Sequence, residues 1–138
     1  MFLKTKAPPE VAVLMEPFTI GVHAVIRGGI KIGDTVAIQG SGAIGLVTLV
    51  CAKISGSSMI IVVGGPKVRL DLAQSMGVAV TIDIDEFPSV QDRTELLKSH
   101  ANNGEDADVV FECAGFLPAT PEGLSYVSYG GTFVEVGL

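Results

Sequence analysis

The chain has 138 residues, a formal net charge of −6 and 48% hydrophobic residues. That length holds one domain and little else, and a mean hydropathy of +0.52 excludes a disordered tail. The nine Lys and Arg residues are scattered singly, so the basic stripe of a nucleic-acid binder is missing and no nucleic-acid partner is expected.

At the N-terminus, Met1–Lys6 runs straight into Ala7-Pro8-Pro9 with no apolar core, so no secretory leader is expected. Glu10 to Arg27 reads as helical, with Val11, Leu14, Met15, Phe18, Val22 and Val25 recurring at steps of three and four. Pro17 is expected to kink or split it, and Gly28-Gly29 to stop it. Residues 1–30 are thus read as an N-terminal helical arm, and residues 31–138 as the main domain.

From Gly33 onward short apolar strands alternate with helices. Thr35–Gln39 is the first strand, ending in a glycine turn, and Ala43–Ile54 is the helix that follows. The next pair is a strand at Met59–Val63 and a helix at Val68–Met76, closed by Gly77 at its C-cap. Further strands are expected at Val78–Ile84, Asp108–Cys113 and Gly131–Val136, with helices at Val90–Ala101 and Pro118–Val127. Outside the glycine turn, the longest unbroken apolar run is around Leu46–Ala52. A bilayer takes roughly 18–20 residues, so no membrane partner is expected. The right-handed crossover rule folds this series into an α/β protein of Rossmann type: an open parallel sheet in three α/β/α layers, strand order 3-2-1-4-5. Cys51 and Cys113 are too far apart for ligand-pair spacing and sit in apolar contexts, which points to buried thiols and a cytoplasmic setting. The apolar balance also implies surface that belongs against another lobe.

The chemistry lies in Gly40-Ser41-Gly42-Ala43-Ile44-Gly45. A bare GxGxxG is a weak signal, but this one follows a strand, opens a helix and precedes a second strand by about twenty residues. Gly40 permits the tight turn, Gly42 the close approach of a pyrophosphate, and Gly45 the packing of helix on strand. Free N–H groups at the helix N-terminus complete an anion site. The end of the second strand, where an acid usually reads the cofactor ribose, holds Gly64, followed by Gly65, Pro66 and Lys67. Without that acid a 2′-phosphate meets no repulsion, and Lys67 or Arg69 are candidates to pair with it. Alternatively the two are an ordinary solvated helix start. Both NADP and NAD stay open. The lone His23 is expected to pack in the core, and His100 to be solvated.

Four segments together resemble the zinc-type medium-chain dehydrogenases, in their sorbitol, threonine and polyol branch. They are Gly33-Asp34-Thr35-Val36 with the glycine turn, Arg69-Leu70-x-x-Ala73-x-x-x-Gly77, Asp108-Val109-Val110-x-Glu112, and Gly130-Gly131-x-x-Val134-x-Val136-Gly137. The resemblance implies that Arg69 lies near the adenosine ribose and that Cys113-Ala114-Gly115 runs beneath the cofactor. It places Val136, Gly137 and Leu138 beside the nicotinamide. It also implies that Glu16 faces the zinc pocket of an intact enzyme, where zinc polarises the oxygen of a small alcohol or polyol substrate. The family's catalytic lobe, its structural zinc lobe and its sixth strand, which often builds a homo-oligomer, have no counterpart here. The expectation is therefore the cofactor-binding half of a dehydrogenase, inactive alone, with apolar surface near Val13, Phe18 and Leu138 prone to self-association. The rival reading is a non-catalytic dinucleotide-sensing module. A short-chain dehydrogenase would need Tyr-x-x-x-Lys, but Gly130 stands four after Tyr126 and Phe133 four after Tyr129.

Overall fold

The computed structural model describes residues 4–102 and 104–137. Five parallel strands form one sheet: β1 (Thr35–Gln39), β2 (Met59–Gly64), β3 (Val80–Asp83), β4 (Ala107–Glu112) and β5 (Val127–Glu135). Their order is β3-β2-β1-β4-β5, which is the order expected from the sequence. The helices are α1 (Pro9–Ala12), α2 (Met15–Gly28), α3 (Ala43–Ile54), α4 (Lys67–Ser75), α5 (Val90–His100) and α6 (Ala119–Leu124).

Side chains alternate across the sheet with the two-residue period of a strand. Val36, Ile38, Ile60, Val62 and Phe111 face α2, α3 and α4, while Ala37, Ile61, Val63, Ile82 and Val110 face Leu97 of α5 and Tyr126 beyond α6. Both faces are covered, so β1 is buried along its whole length and reads as an unbroken apolar run.

The helical N-terminal segment is split, but not at Pro17. The break falls at Val13–Leu14, and Pro17 sits in the first turn of α2, where its missing N–H breaks no helical bond. Within Pro9–Gly28 an 18-residue window reaches a mean hydropathy of 1.3, apolar enough for a membrane span by length and composition, although charged and polar residues interrupt it. Here Gly21, Ala24, Val25 and Gly28 are buried instead. A Cβ on Gly21 would stand 3.1 Å from the Thr48 nitrogen of α3, and one on Gly28 would stand 2.6 Å from the Phe111 ring. Glycine thus lets α2 close onto the domain. His23 is exposed, not packed: it lines a groove between α2 and β5, where Arg27 Nε donates to its Nε2 at 3.4 Å. The apolar surface expected near Val13 is present, with Val13 70% exposed, but Phe18 is partly buried against the core. Leu138 lies outside the described residues.

β5 starts four residues earlier than its glycine pair suggests. Ala107 faces Val127 and Val109 faces Thr132, so a two-residue step on β4 meets a five-residue step on β5. The surplus forms a bulge at which Gly130 takes φ 79°. Gly130-Gly131 therefore forms a bulge inside β5, and the strand expected at Gly131–Val136 runs over Val127–Glu135.

Candidate functional site

β1 carries the chain to Gly40, which turns with φ 105°, and a Cβ there would lie 2.8 Å from the Ala114 nitrogen. Gly40 N–H donates to the Val63 carbonyl at 2.7 Å, holding the turn against β2. A Cβ on Gly45 would overlap the Gly40 carbonyl oxygen. The protein's own packing therefore demands glycine at 40 and 45. Gly42 differs. It is extended at φ −75°, ψ −174°, and a Cβ there would meet nothing within 4 Å among the described residues. Gly42 is also the N-cap of α3, with no side-chain cap and no acid in the first turn. The N–H groups of Ala43, Ile44 and Gly45 in that turn have no intrahelical acceptor, and the helix dipole adds positive potential. This end of α3 suits an anion whose bulk uses the space beside Gly42.

The turn opens onto a cleft of about 440 Å³ at the carboxyl ends of the strands. It lies between β1, whose connection runs to β2 on one side, and β4, whose connection runs to β5 on the other, the usual ligand position in open α/β sheets. Gly64, Gly65 and Arg69 form one wall, and Cys113, Ala114 and Phe116 the other. Ile84, Asp85 and Pro88, from the turn after β3, close the far end. The sequence reading missed them, although a parallel sheet must bring the end of β3 to the same rim as the glycine turn.

The floor is polar and buried. Arg93 of α5 forks onto Glu122 of α6, with Nε–Oε1 at 2.6 Å and Nη2–Oε2 at 2.8 Å. Arg93 Nη1 donates to the Phe87 carbonyl at 2.6 Å, which fixes the turn carrying Asp85 and Pro88. The Tyr126 hydroxyl donates to Glu122. Burial, then the bond to Glu122, pushes the Tyr126 phenol up, while the Glu122 bond raises the Arg93 guanidinium further. Gln39 is 5% exposed at this floor, and its Oε1 has no hydrogen-bond partner among the described residues. No sequence spacing signals the Arg93–Glu122 pair, whose members are 29 residues apart.

The remaining candidates are spread around this cleft. Lys67 is exposed at the start of α4 and pairs with Asp71 at 3.3 Å, outside the cleft lining. Gly115 and Gly137 line an adjoining groove of about 170 Å³. Glu112 ties the two segments together. Its Oε1 accepts from the N–H groups of Ala114 at 2.7 Å and Gly115 at 2.9 Å. Its carbonyl accepts from Val136 at 2.8 Å and Gly137 at 2.9 Å. Val136 itself lines a groove under α2. Burial pushes the Cys113 thiol up to about 12, so it stands in the cleft wall as a neutral group. Glu16 is exposed in the first turn of α2, and among the described residues no three of His, Cys, Asp and Glu gather around one point. The donor set does not by itself fit a zinc centre.

The zinc-binding dehydrogenase family pattern matches residues 43–138, more than half of the chain. The chain belongs to this family. It is 39% identical over 129 residues to sorbitol dehydrogenase of Bacillus subtilis, covering 94% of this chain and 35% of that protein. A zinc-binding dehydrogenase from Sinorhizobium meliloti, solved bound to NADP, superposes with a TM-score of 0.78 at 33% identity, over 88% of this chain and 35% of that one. Alcohol dehydrogenase TADH from Thermus sp. ATN1 superposes with a TM-score of 0.85 at 27% identity, over all of this chain and 39% of that one. The chain thus spans about a third of the length of these zinc-type medium-chain dehydrogenases, and carries their Rossmann sheet.

Proposed function

We propose that this chain is the dinucleotide-holding part of a zinc-dependent alcohol or polyol dehydrogenase, and that it binds NADP(H) or NAD(H). The observation that carries the reading is Gly42: space kept clear beside an uncapped helix N-terminus, at the mouth of the cleft. The N–H groups of the first turn of α3 hold the pyrophosphate, and Gly64, Gly65 and Arg69 border the adenosine ribose. The adenine lies between Ala114 and the turn after β3. The segment from Val136, anchored on Glu112, runs beside the nicotinamide. The nicotinamide, when bound, supplies or accepts the hydride. The protein's part is to orient it and to exclude water from its adenosine end. Glu16 is proposed as one carboxylate of a zinc centre that these residues do not complete. A cytoplasmic setting fits the two free thiols.

Gly42→Val tests the reading. The extended backbone accepts a β-branched residue and the neighbouring space is open, so the fold is retained while the pyrophosphate seat is filled. By calorimetry, affinity for NADPH and NADH should fall at least about tenfold, or roughly 1.4 kcal/mol, with an unchanged unfolding transition. Unchanged affinity would reduce the turn to a packing device. The same wild-type sample, loaded with zinc and either cofactor, is expected to bind without oxidising alcohols.

A further inference from the structure

The ribose end of the cleft contains two positions that compete for one volume. Gly64 ends β2, and Ser41 lies against it in the glycine turn. Ser41 is 2% exposed, and its hydroxyl donates to the Gly65 carbonyl at 2.9 Å. That hydroxyl is committed to the protein and is not a free phosphate ligand. A Cβ on Gly64 would stand 2.9 Å from Ser41 Oγ, 3.0 Å from Ser41 N and 3.3 Å from Ser41 Cβ. Two of these three contacts, the shortest among them, are to the Ser41 side chain and one is to its backbone, so most of the crowding at 64 comes from the serine. No steric reason of its own backbone demands this, because Gly64 does not take a positive φ.

Arg69 lines the same cleft from the first turn of α4 and forms no ion pair among the described residues, whereas Lys67 is engaged by Asp71. Asp85, exposed at the far end, contributes the opposing charge. Contact with Gly64, however, belongs to Ser41. We propose that Ser41 is a specificity-determining residue: by occupying the volume of a side chain at 64, it keeps an acid out of the ribose end and leaves that end open to a 2′-phosphate facing Arg69. This rests on the dinucleotide reading above and assigns the choice between NADP(H) and NAD(H) to the Ser41–Gly64 pair. Placing Asp at 64 alone should strain the turn before it can read a ribose, and the serine has to leave first.

Two readouts on the same set of variants test it. Thermal unfolding reads the packing. Gly64→Ala should lower Tm in the wild-type background, and by less than half as much when combined with Ser41→Gly. Equal losses in both backgrounds would overturn the proposal. Titration with NADPH and NADH reads the selection. Wild type should not favour NADH, and the double variant Ser41→Gly/Gly64→Asp should favour it about tenfold or more. If Gly64→Asp alone folds as stably as wild type and already shows that preference, Ser41 has no selecting role. Wild type that binds neither dinucleotide would overturn the parent reading and the selection with it. The Tm comparison would still report separately on whether Ser41 excludes a side chain at 64.

Discussion

Arg93 and Glu122 are buried charges lining the cleft, at 6% and 9% exposure, and they satisfy each other through both guanidinium–carboxylate contacts. A pair of this kind adds little net stability over well-packed apolar residues, yet losing one partner strands the other charge. Glu122→Ala should therefore cost about 3–5 kcal/mol in urea unfolding, whereas Arg93→Met/Glu122→Leu, which strands no charge and leaves only the neutral Tyr126 hydroxyl and Phe87 carbonyl without partners, should cost less. The double variant also frees the Phe87 carbonyl and hence the turn that bears Asp85 and Pro88. It should stay folded and lose dinucleotide affinity, which would separate the pair's role in the site from its role in the fold. A loss below about 1 kcal/mol for Glu122→Ala would mean that water reaches Arg93 and that the floor is not closed. The glycine turn was legible one residue at a time, because each glycine there answers a different demand: φ at Gly40, contact at Gly45 and clearance at Gly42. The floor was not, because an ion pair between two helices leaves no local spacing to read.

At the scale of elements, β1 and α3 appear with the bounds expected from the sequence, since a fully buried strand is an unbroken apolar run and its end is marked by glycine. The misplacements occurred where one residue type serves two purposes. Pro17 breaks a helix interior but is tolerated in a first turn, and Gly130-Gly131 marks either the start of a strand or a bulge inside one. His23 shows the same limit. It falls at helical spacing near core positions, yet the buried stripe of α2 is made by Gly21, Ala24, Val25 and Gly28. That stripe gives a prediction for the element. Gly28→Ala gains helix propensity but puts a methyl 2.6 Å from the Phe111 ring. Overpacking should win, destabilising the protein by about 1–3 kcal/mol in a denaturant titration. A stabilised variant would show that α2 rests loosely on the sheet.

For the whole molecule, the parallel sheet gathers four strand ends and the N-terminus of α3 at one rim, so residues distant in sequence share one cleft. The opposite rim, around Gly29 and Gly130, is a smaller polar hollow of about 160 Å³. The first rim, and not the second, is the proposed seat of a nicotinamide dinucleotide. Titration of the ¹⁵N-labelled protein with NADPH and with NADH, followed by amide chemical shifts, tests that claim most directly. The amides of Gly40, Gly42, Gly65 and Ala114 should move in a saturable way while those of Gly29 and Gly130 stay in place. No shift with either dinucleotide at millimolar concentration, or shifts centred on Gly29 and Gly130, would contradict it.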